Sequence, residues 1–310
     1  LQLDRNAQYR ALRPPRTAPL TFLKRPQHHS TNNSNPPFAT NPHDIDQLII
    51  DSWQPIRKGN TTDISTLIQN YHNKYSAFIY RAPEYHIHDI KAADFMQHCR
   101  HASKTAASLD GWATAELAIL PIAAHELLVA FLNRVESEGT WPPSLTIAKA
   151  AFLHKSNPTT ATPHDLRILL LLPTIYRRWA SFRLHCLKPW IQDWALPEIF
   201  AGIPGQSAED AWYTTNLHLE HLRTQHQHFT GGAADIFKCF DQLQRPLLQH
   251  ILHLAGMPPR ILLPYQACLS NLVVRNSFAG HIGNPHHHPC GIPQGCPFSM
   301  ACLALLARPW

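Results

Sequence analysis

Residues 234–241 read Ala-Asp-Ile-Phe-Lys-Cys-Phe-Asp, and the rest of the chain is interpreted from this stretch. It places carboxylates at Asp235 and Asp241, where an extended pattern gives way to a helical one. The short apolar run 229–234 predicts a buried strand, and leucine and isoleucine recur at helical spacing afterwards, up to Gly256. An aspartate at the end of a strand is held rigidly and suits metal binding. The same pattern is typical of a capping aspartate at a strand-to-helix turn, so the octapeptide alone leaves both interpretations open.

A second stretch, residues 290–300, reads Cys-Gly-Ile-Pro-Gln-Gly-Cys-Pro-Phe-Ser-Met and predicts a tight loop before the apolar run 301–307. Together the two stretches resemble the reverse transcriptases of LINE-type (non-LTR) retrotransposons and their group II intron relatives. The palm of that family carries a D-x-x-K-x-F-D block and, some tens of residues later, a G-x-x-Q-G-x-P-x-S block. Both blocks occur here in that order, and the resemblance covers roughly residues 104–310.

The resemblance implies an α+β fold, the right-hand polymerase arrangement of fingers and an incomplete palm, built from helices and an antiparallel sheet. We expect four segments along the chain. These are a basic, disordered tail at 1–43, a helical N-terminal segment at 44–103, the fingers at 104–230 and a partial palm at 231–310. The implied function is RNA-directed DNA polymerase of a retroelement, with an RNA template, a DNA primer and deoxynucleoside triphosphates as partners.

The palm residues take their expected roles from the family pattern. Asp235 and the backbone carbonyl of Ile236 are the expected ligands of Mg²⁺ (or Mn²⁺) in a two-metal nucleotidyl transfer. Phe240 matches the bulky residue that lies under the sugar and excludes a 2′ hydroxyl. Gln294 and Gly295 are expected to border the nucleotide, because glycine permits a close approach of the chain. Asp241 matches a structural position of the family.

Four basic residues are candidates for phosphate contacts in the fingers. The sequence predicts a hairpin of strands 147–154 and 165–172, and Lys155 and Arg167 match family positions that bind the triphosphate. An arginine fork suits a phosphate, although a surface charge is the alternative for both residues. Arg177 and Arg178 begin the predicted helix 173–194 and are expected to contact the nucleic-acid backbone.

The overall composition is that of a globular protein with a basic tail. The chain has 310 residues, 44% of them hydrophobic, and a net charge of +6. Residues 1–30 hold six lysine or arginine residues against one aspartate, so most of the excess positive charge lies there. Seven cysteines form no C-x-x-C pair and predict a reducing compartment. No long apolar run is present, so we expect an intracellular protein of the nucleus or cytoplasm without a membrane span. We expect the histidines at 286–288 to form a solvated loop rather than a metal site.

One element of the family pattern does not occur in the sequence. An aromatic-x-Asp-Asp hairpin supplies the remaining metal ligands in the family, and no such motif lies between Ser299 and Trp310. We therefore expect a fragment whose palm is partial. Two alternatives stay open: a catalytically dead remnant that acts as an RNA-binding module, and an RNA-directed RNA polymerase, which the bulk of Phe240 disfavours.

Overall fold

The computed structural model describes residues 20–26, 36–59, 63–102, 105–155 and 161–310. About half of these residues are helical. In chain order the helices are α1 (Pro42–Arg57), α2 (Ile64–Tyr75), α3 (Ala92–Arg100), α4 (Thr114–Ile119), α5 (Ile122–Glu138), α6 (Thr174–Cys186), α7 (Lys188–Trp194), α8 (Ala208–Thr224), α9 (Cys239–Gln242), α10 (Arg245–Leu254), α11 (Pro259–Ser270) and α12 (Ser299–Ala307).

The strands form two sheets, so the α+β class is confirmed. They are β1 (Leu23–Lys24), β2 (Phe38–Ala39), β3 (Ile147–His154), β4 (Leu166–Leu171), β5 (Val273–Phe278), β6 (His281–Ile282) and β7 (His286–His287). The larger sheet has the order β4-β3-β5-β6, with β7 also paired to β5. It is mixed rather than wholly antiparallel as predicted. A long helical connection separates β3 from β5, so no hairpin turn sets their relative direction.

The chain divides into two compact units. One comprises the chain up to Gln54 together with Ala150–Leu169 and Arg275–Pro285. The other comprises Pro55–Lys149, Leu170–Val274 and His286–Trp310. The four predicted segments of the polymerase remain a prediction. Within the described residues, none of the helices combines the length and apolar character needed to cross a bilayer.

The first unit holds part of the tail that we expected to be disordered. Leu23 pairs with Ala39 in the antiparallel β1–β2 ribbon, and both side chains are buried. The backbone N–H of Lys24 also donates to the carbonyl of Ala161. Buried apolar side chains and paired backbone groups therefore order these residues, whereas residues 1–19 and 27–35 lie outside the described part.

Aromatic side chains of the second unit pack against one another in edge-to-face and tilted arrangements. Trp179 lies within 6 Å, between ring centroids, of the rings of Trp141, Tyr176 and Phe298. A buried ion pair joins Glu136 of α5 to Arg183 of α6, and the same carboxylate accepts a hydrogen bond from the Trp179 indole. Since every charged group in this set has a partner, the cost of burying the charges is largely offset.

Most of the predicted helices are confirmed, and the predicted strand 229–234 is wrong. The helix after the octapeptide is α10, which ends before Gly256 at φ 78°, and α5 ends at Gly139, which is also in the left-handed region. Residues 229–236, by contrast, are irregular and exposed to solvent, and no described strand pairs with them. An extended segment without a partner strand leaves its backbone groups to water, so the expected rigid support behind Asp235 does not form.

The histidine segment is also more ordered than expected. His286 and His287 form β7, opposite Val274 and Val273 of β5, and His288 is buried. Burial, the largest effect, and the positive charge of Arg57 lower the pKa of His288 well below its usual value. The expected solvated loop is therefore a paired strand with one buried imidazole.

Candidate active site

The first motif block forms an exposed turn followed by one turn of helix. Asp235 and Ile236 are exposed, with 52% of the Ile236 surface accessible. Lys238 adopts a left-handed conformation (φ 47°, ψ 40°) and starts α9, to which Phe240 and Asp241 belong. The pKa of the Cys239 thiol is raised by burial and, to a smaller extent, by the carboxylates of Asp235 and Asp241. Both carboxylates therefore act on the same small region of the turn.

The second motif block is hydrogen-bonded directly to this turn. The backbone N–H of Gly291 donates to the carbonyl of Leu243 at 2.7 Å, and that of Ile292 donates to the carbonyl of Phe240 at 2.8 Å. A Cβ atom at Gly291, where φ is 83°, would lie 2.7 Å from the carbonyl oxygen of Asp241. Only glycine fits so close an approach at this backbone conformation. The two stretches that carry the resemblance are thus one contiguous structure.

Gln294 connects the two blocks through side chains as well. Its amide nitrogen donates to a carboxylate oxygen of Asp241 over 3.3 Å. Its backbone carbonyl accepts a hydrogen bond of 3.0 Å from the N–H of Leu170, at the end of β4. Gly295 follows with φ 139°, and a Cβ atom there would lie 2.5 Å from the carbonyl oxygen of Leu170. The loop is therefore fixed between the turn and β4.

Two buried arginines hold this arrangement, and sequence reasoning missed both. Arg245 donates to the carbonyl oxygens of Gly291, Leu269 and Cys290, which fixes the start of the loop. Arg245 lies in the first turn of α10, where the helix dipole disfavours a cation. This unfavourable position was the signal in the sequence that the Arg245 guanidinium donates to carbonyl oxygens outside its own helix.

Arg57 lies at the end of α1, beneath the same loop. Burial, partly opposed by the negative charge of Asp241 and by the Cys290 thiol, lowers the pKa of Arg57 to about 10. Its backbone carbonyl accepts hydrogen bonds from the N–H and the thiol of Cys290, and its guanidinium lies 3.4 Å from an imidazole nitrogen of His286. A basic residue is ordinary in the last turn of a helix, so nothing in the sequence distinguished Arg57.

The two finger cations lie in the other compact unit, at one end of the β3–β4 hairpin. Lys155 directly follows β3, and its N–H donates to the carbonyl of Asp165, two residues before Arg167. Both side chains are exposed. The predicted hairpin is confirmed, with β3 at the predicted residues, and it leaves both cations accessible to a solvent-borne phosphate.

Arg177 and Arg178 are buried at the start of α6. The guanidinium of Arg177 donates to the hydroxyls of Thr105 and Thr174 and to the carbonyl of Ala106. Burial lowers the pKa of both arginines. Their contacts with a nucleic-acid backbone stay a prediction that this geometry does not favour, because Arg177 uses its donors within the protein.

No family model matches the chain, and no curated protein matches it either.

The residues around Asp235 do not by themselves fit a two-metal centre. Hard divalent cations need several oxygen ligands in fixed positions. The described residues bring together no group of three or more histidine, cysteine, aspartate or glutamate side chains that could hold a metal ion. Asp241 is already an acceptor for Gln294, and Asp235 lies on an irregular segment. A metal role for Asp235 therefore requires further ligands.

Proposed function

We propose that residues 104–310 are the fingers and part of the palm of an RNA-directed DNA polymerase of the retroelement type. One observation carries the proposal. The two motif blocks are far apart in sequence, yet the N–H groups of Gly291 and Ile292 and the amide of Gln294 donate to the Asp235–Leu243 turn. Two chance matches would have no reason to meet in this way.

In this proposal the turn and the loop together form the floor of a nucleotide site. Asp235 projects from the exposed side of the turn, where a metal ligand has to be accessible. Phe240 is half-buried in α9 and takes the position that excludes a 2′ hydroxyl. Gln294 and Gly295 border the nucleotide, and Asp241 is the internal acceptor that orients Gln294. Lys155 and Arg167 are the proposed contacts of the triphosphate.

The test is primer extension on an RNA template, with the longest natural reading frame that contains these residues and with Mg²⁺ or Mn²⁺ supplied. Asp235→Ala is expected to abolish extension. Asp241→Asn is the matched control, because an asparagine oxygen still accepts the hydrogen bond from Gln294, and it is expected to leave substantial activity. Near-normal extension by the Asp235 variant would remove Asp235 from the site.

A second candidate function is an RNA-binding remnant without catalysis. It is favoured by the irregular, exposed backbone at Asp235, which gives a metal ligand little rigid support. The two functions differ in one experiment with the same reading frame. The remnant is supported if the protein binds RNA but extends no primer at any Mg²⁺ or Mn²⁺ concentration. Extension with deoxynucleotides supports the polymerase, and a preference for ribonucleotides would favour an RNA-directed RNA polymerase.

A further inference from the structure

The second unit contains a cavity that neither motif block lines. Its volume is about 380 Å³, and it is bounded by the end of α3, by α6 and α7, and by the loop Gly202–Pro204. Three basic side chains line it, those of His98, His185 and Lys188. The lining residues include neither aspartate nor glutamate. With Lys188 as a positive charge and no carboxylate in its lining, this concave site attracts anions.

The polar side chains of this cavity are placed for hydrogen bonding to a ligand. The Nε2 atom of His98 lies 3.0 Å from the hydroxyl oxygen of Ser181. His185 and Lys188 are exposed, so the imidazole of His185 and the ammonium group of Lys188 are accessible to an incoming group. Ile191 and Ile203 form part of an apolar wall, which reduces the screening of charges by water.

The electrostatic state of His98 reports the same positive environment. Burial, the largest effect, together with Arg178, His185, His101 and Lys188 lowers the pKa of His98 to about 4. These basic neighbours come from the end of α3, from α6 and from the start of α7. At neutral pH the imidazole is uncharged, because adding a proton would place another positive charge among them. An anion in the cavity would reverse this effect and raise the pKa of His98.

We infer that this cavity binds a phosphate group, carried either by a free nucleotide or by a nucleic-acid backbone. Lys188 supplies the main attraction, and the Ser181 hydroxyl donates to the phosphate while its oxygen accepts a hydrogen bond from the Nε2–H of His98. A proton taken up at Nδ1 then makes His98 a second donor. The apolar wall and the volume leave room for more than the phosphate alone. The inference does not rest on polymerase activity, because none of the residues proposed for nucleotidyl transfer lines the cavity.

The experiment is an NMR titration of the His98 ring in the full chain, with inorganic phosphate as the first probe. The pKa of His98 is expected to rise on saturation with phosphate. Lys188→Gln is expected to weaken phosphate binding by about tenfold, the usual effect of losing one charge-assisted hydrogen bond. Lys74→Gln is the matched control, since Lys74 is an exposed lysine on α2 that does not line the cavity. Amide spectra of both variants confirm that they fold.

Competition then identifies the carrier of the phosphate. If ATP displaces phosphate at a lower concentration than a short oligouridylate does, the cavity is a nucleotide site. If the oligouridylate displaces phosphate at the lower concentration, the cavity binds a nucleic-acid backbone. If phosphate leaves the His98 resonance unchanged, or if the two lysine variants weaken binding equally, the cavity is not a phosphate site. The bond between His98 and Ser181 would then only join α3 to α6. Near-normal primer extension by the Asp235 variant, which would count against the proposed function, would leave this inference untouched.

Discussion

Gly295 gives the sharpest test of how the loop of the second motif block is held. We call this loop, which contains Gln294 and Gly295, the Gln-Gly loop. Replacing it by alanine adds a Cβ atom 2.5 Å from the backbone oxygen of Leu170, at a backbone φ of 139°. Both obstacles are backbone features, so no flexible side chain can move aside. The loop has to shift, and a shift breaks the hydrogen bond between the Leu170 N–H and the carbonyl of Gln294.

The expected cost follows from three contributions. A non-glycine residue at positive φ costs about 1–2 kcal/mol. The lost backbone hydrogen bond costs about 1 kcal/mol. Forcing an extra methyl group into a packed contact costs a further ~1–3 kcal/mol. Gly295→Ala should therefore lower the free energy of unfolding by about 4 kcal/mol.

Two other glycines separate these contributions. Gly205 has φ 84° and nothing within 4 Å of a Cβ atom, so Gly205→Ala measures backbone strain alone, about 1 kcal/mol. Gly232 has open space and no positive φ, so Gly232→Ala should change stability by less than about 0.5 kcal/mol. Urea unfolding followed by tryptophan fluorescence gives the free energies, and hydrogen exchange at the Leu170 amide reports the broken bond. The reasoning fails if Gly295→Ala costs no more than Gly205→Ala, or if the Leu170 amide stays equally protected.

Four further predictions concern the proposed site and its surroundings. Phe240→Val should raise ribonucleotide incorporation relative to deoxyribonucleotide in primer extension, and an unchanged ratio would make Phe240 an ordinary packing residue. Residues 1–310 alone should not extend a primer, and robust extension would reveal metal ligands that we have not recognised. They should bind RNA, and the affinity measured across a salt series should fall steeply with added salt. Arg177→Ala should lower the free energy of unfolding in urea by about 2–4 kcal/mol, because the hydrogen bonds of its guanidinium are lost. The same variant should leave the salt dependence of RNA binding unchanged, whereas Lys155→Ala should make that dependence weaker. The free energy of unfolding should fall as the pH drops from about 6.5 towards 4, because the His98 side chain binds a proton in the unfolded chain but not in the folded one, where it is half-buried. His98→Gln should lessen this fall in acid titrations monitored by circular dichroism.

The elements that sequence predicted well are those whose limits are set by local chemistry. The helical pattern predicted up to Gly256 is α10, and Gly256 adopts a left-handed conformation just after the helix cap, which is a usual way for a helix to end. The capping box of Ser207 and Asp210 at the start of α8 is a signal of the same local kind. These signals act within a few residues, so tertiary structure did not need to be known.

The features that sequence predicted poorly depend on distant partners. The strand expected at 229–234 had the right composition but no neighbouring strand to pair with. Arg177 is typical of a phosphate contact in sequence, yet its donors are taken by a loop some seventy residues earlier. Arg245 gained its importance only when the chain brought the carbonyls of the Gln-Gly loop to it, and Arg57 only when its own backbone carbonyl came to accept hydrogen bonds from Cys290. Charge in a sequence shows that a partner is needed and does not show which one.

The bond between Gln294 and Asp241 also has a consequence for the order of folding. The two residues are separated by 53 positions, and α10, α11 and β5 lie between them. Closing so long a loop costs entropy before any of its contacts is gained, so the turn and the Gln-Gly loop should join late, after the intervening helices have formed. Substitutions at this junction should then speed unfolding and leave the rate of folding nearly unchanged. The proposed nucleotide floor would then assemble after α10 and α11 and open early in unfolding.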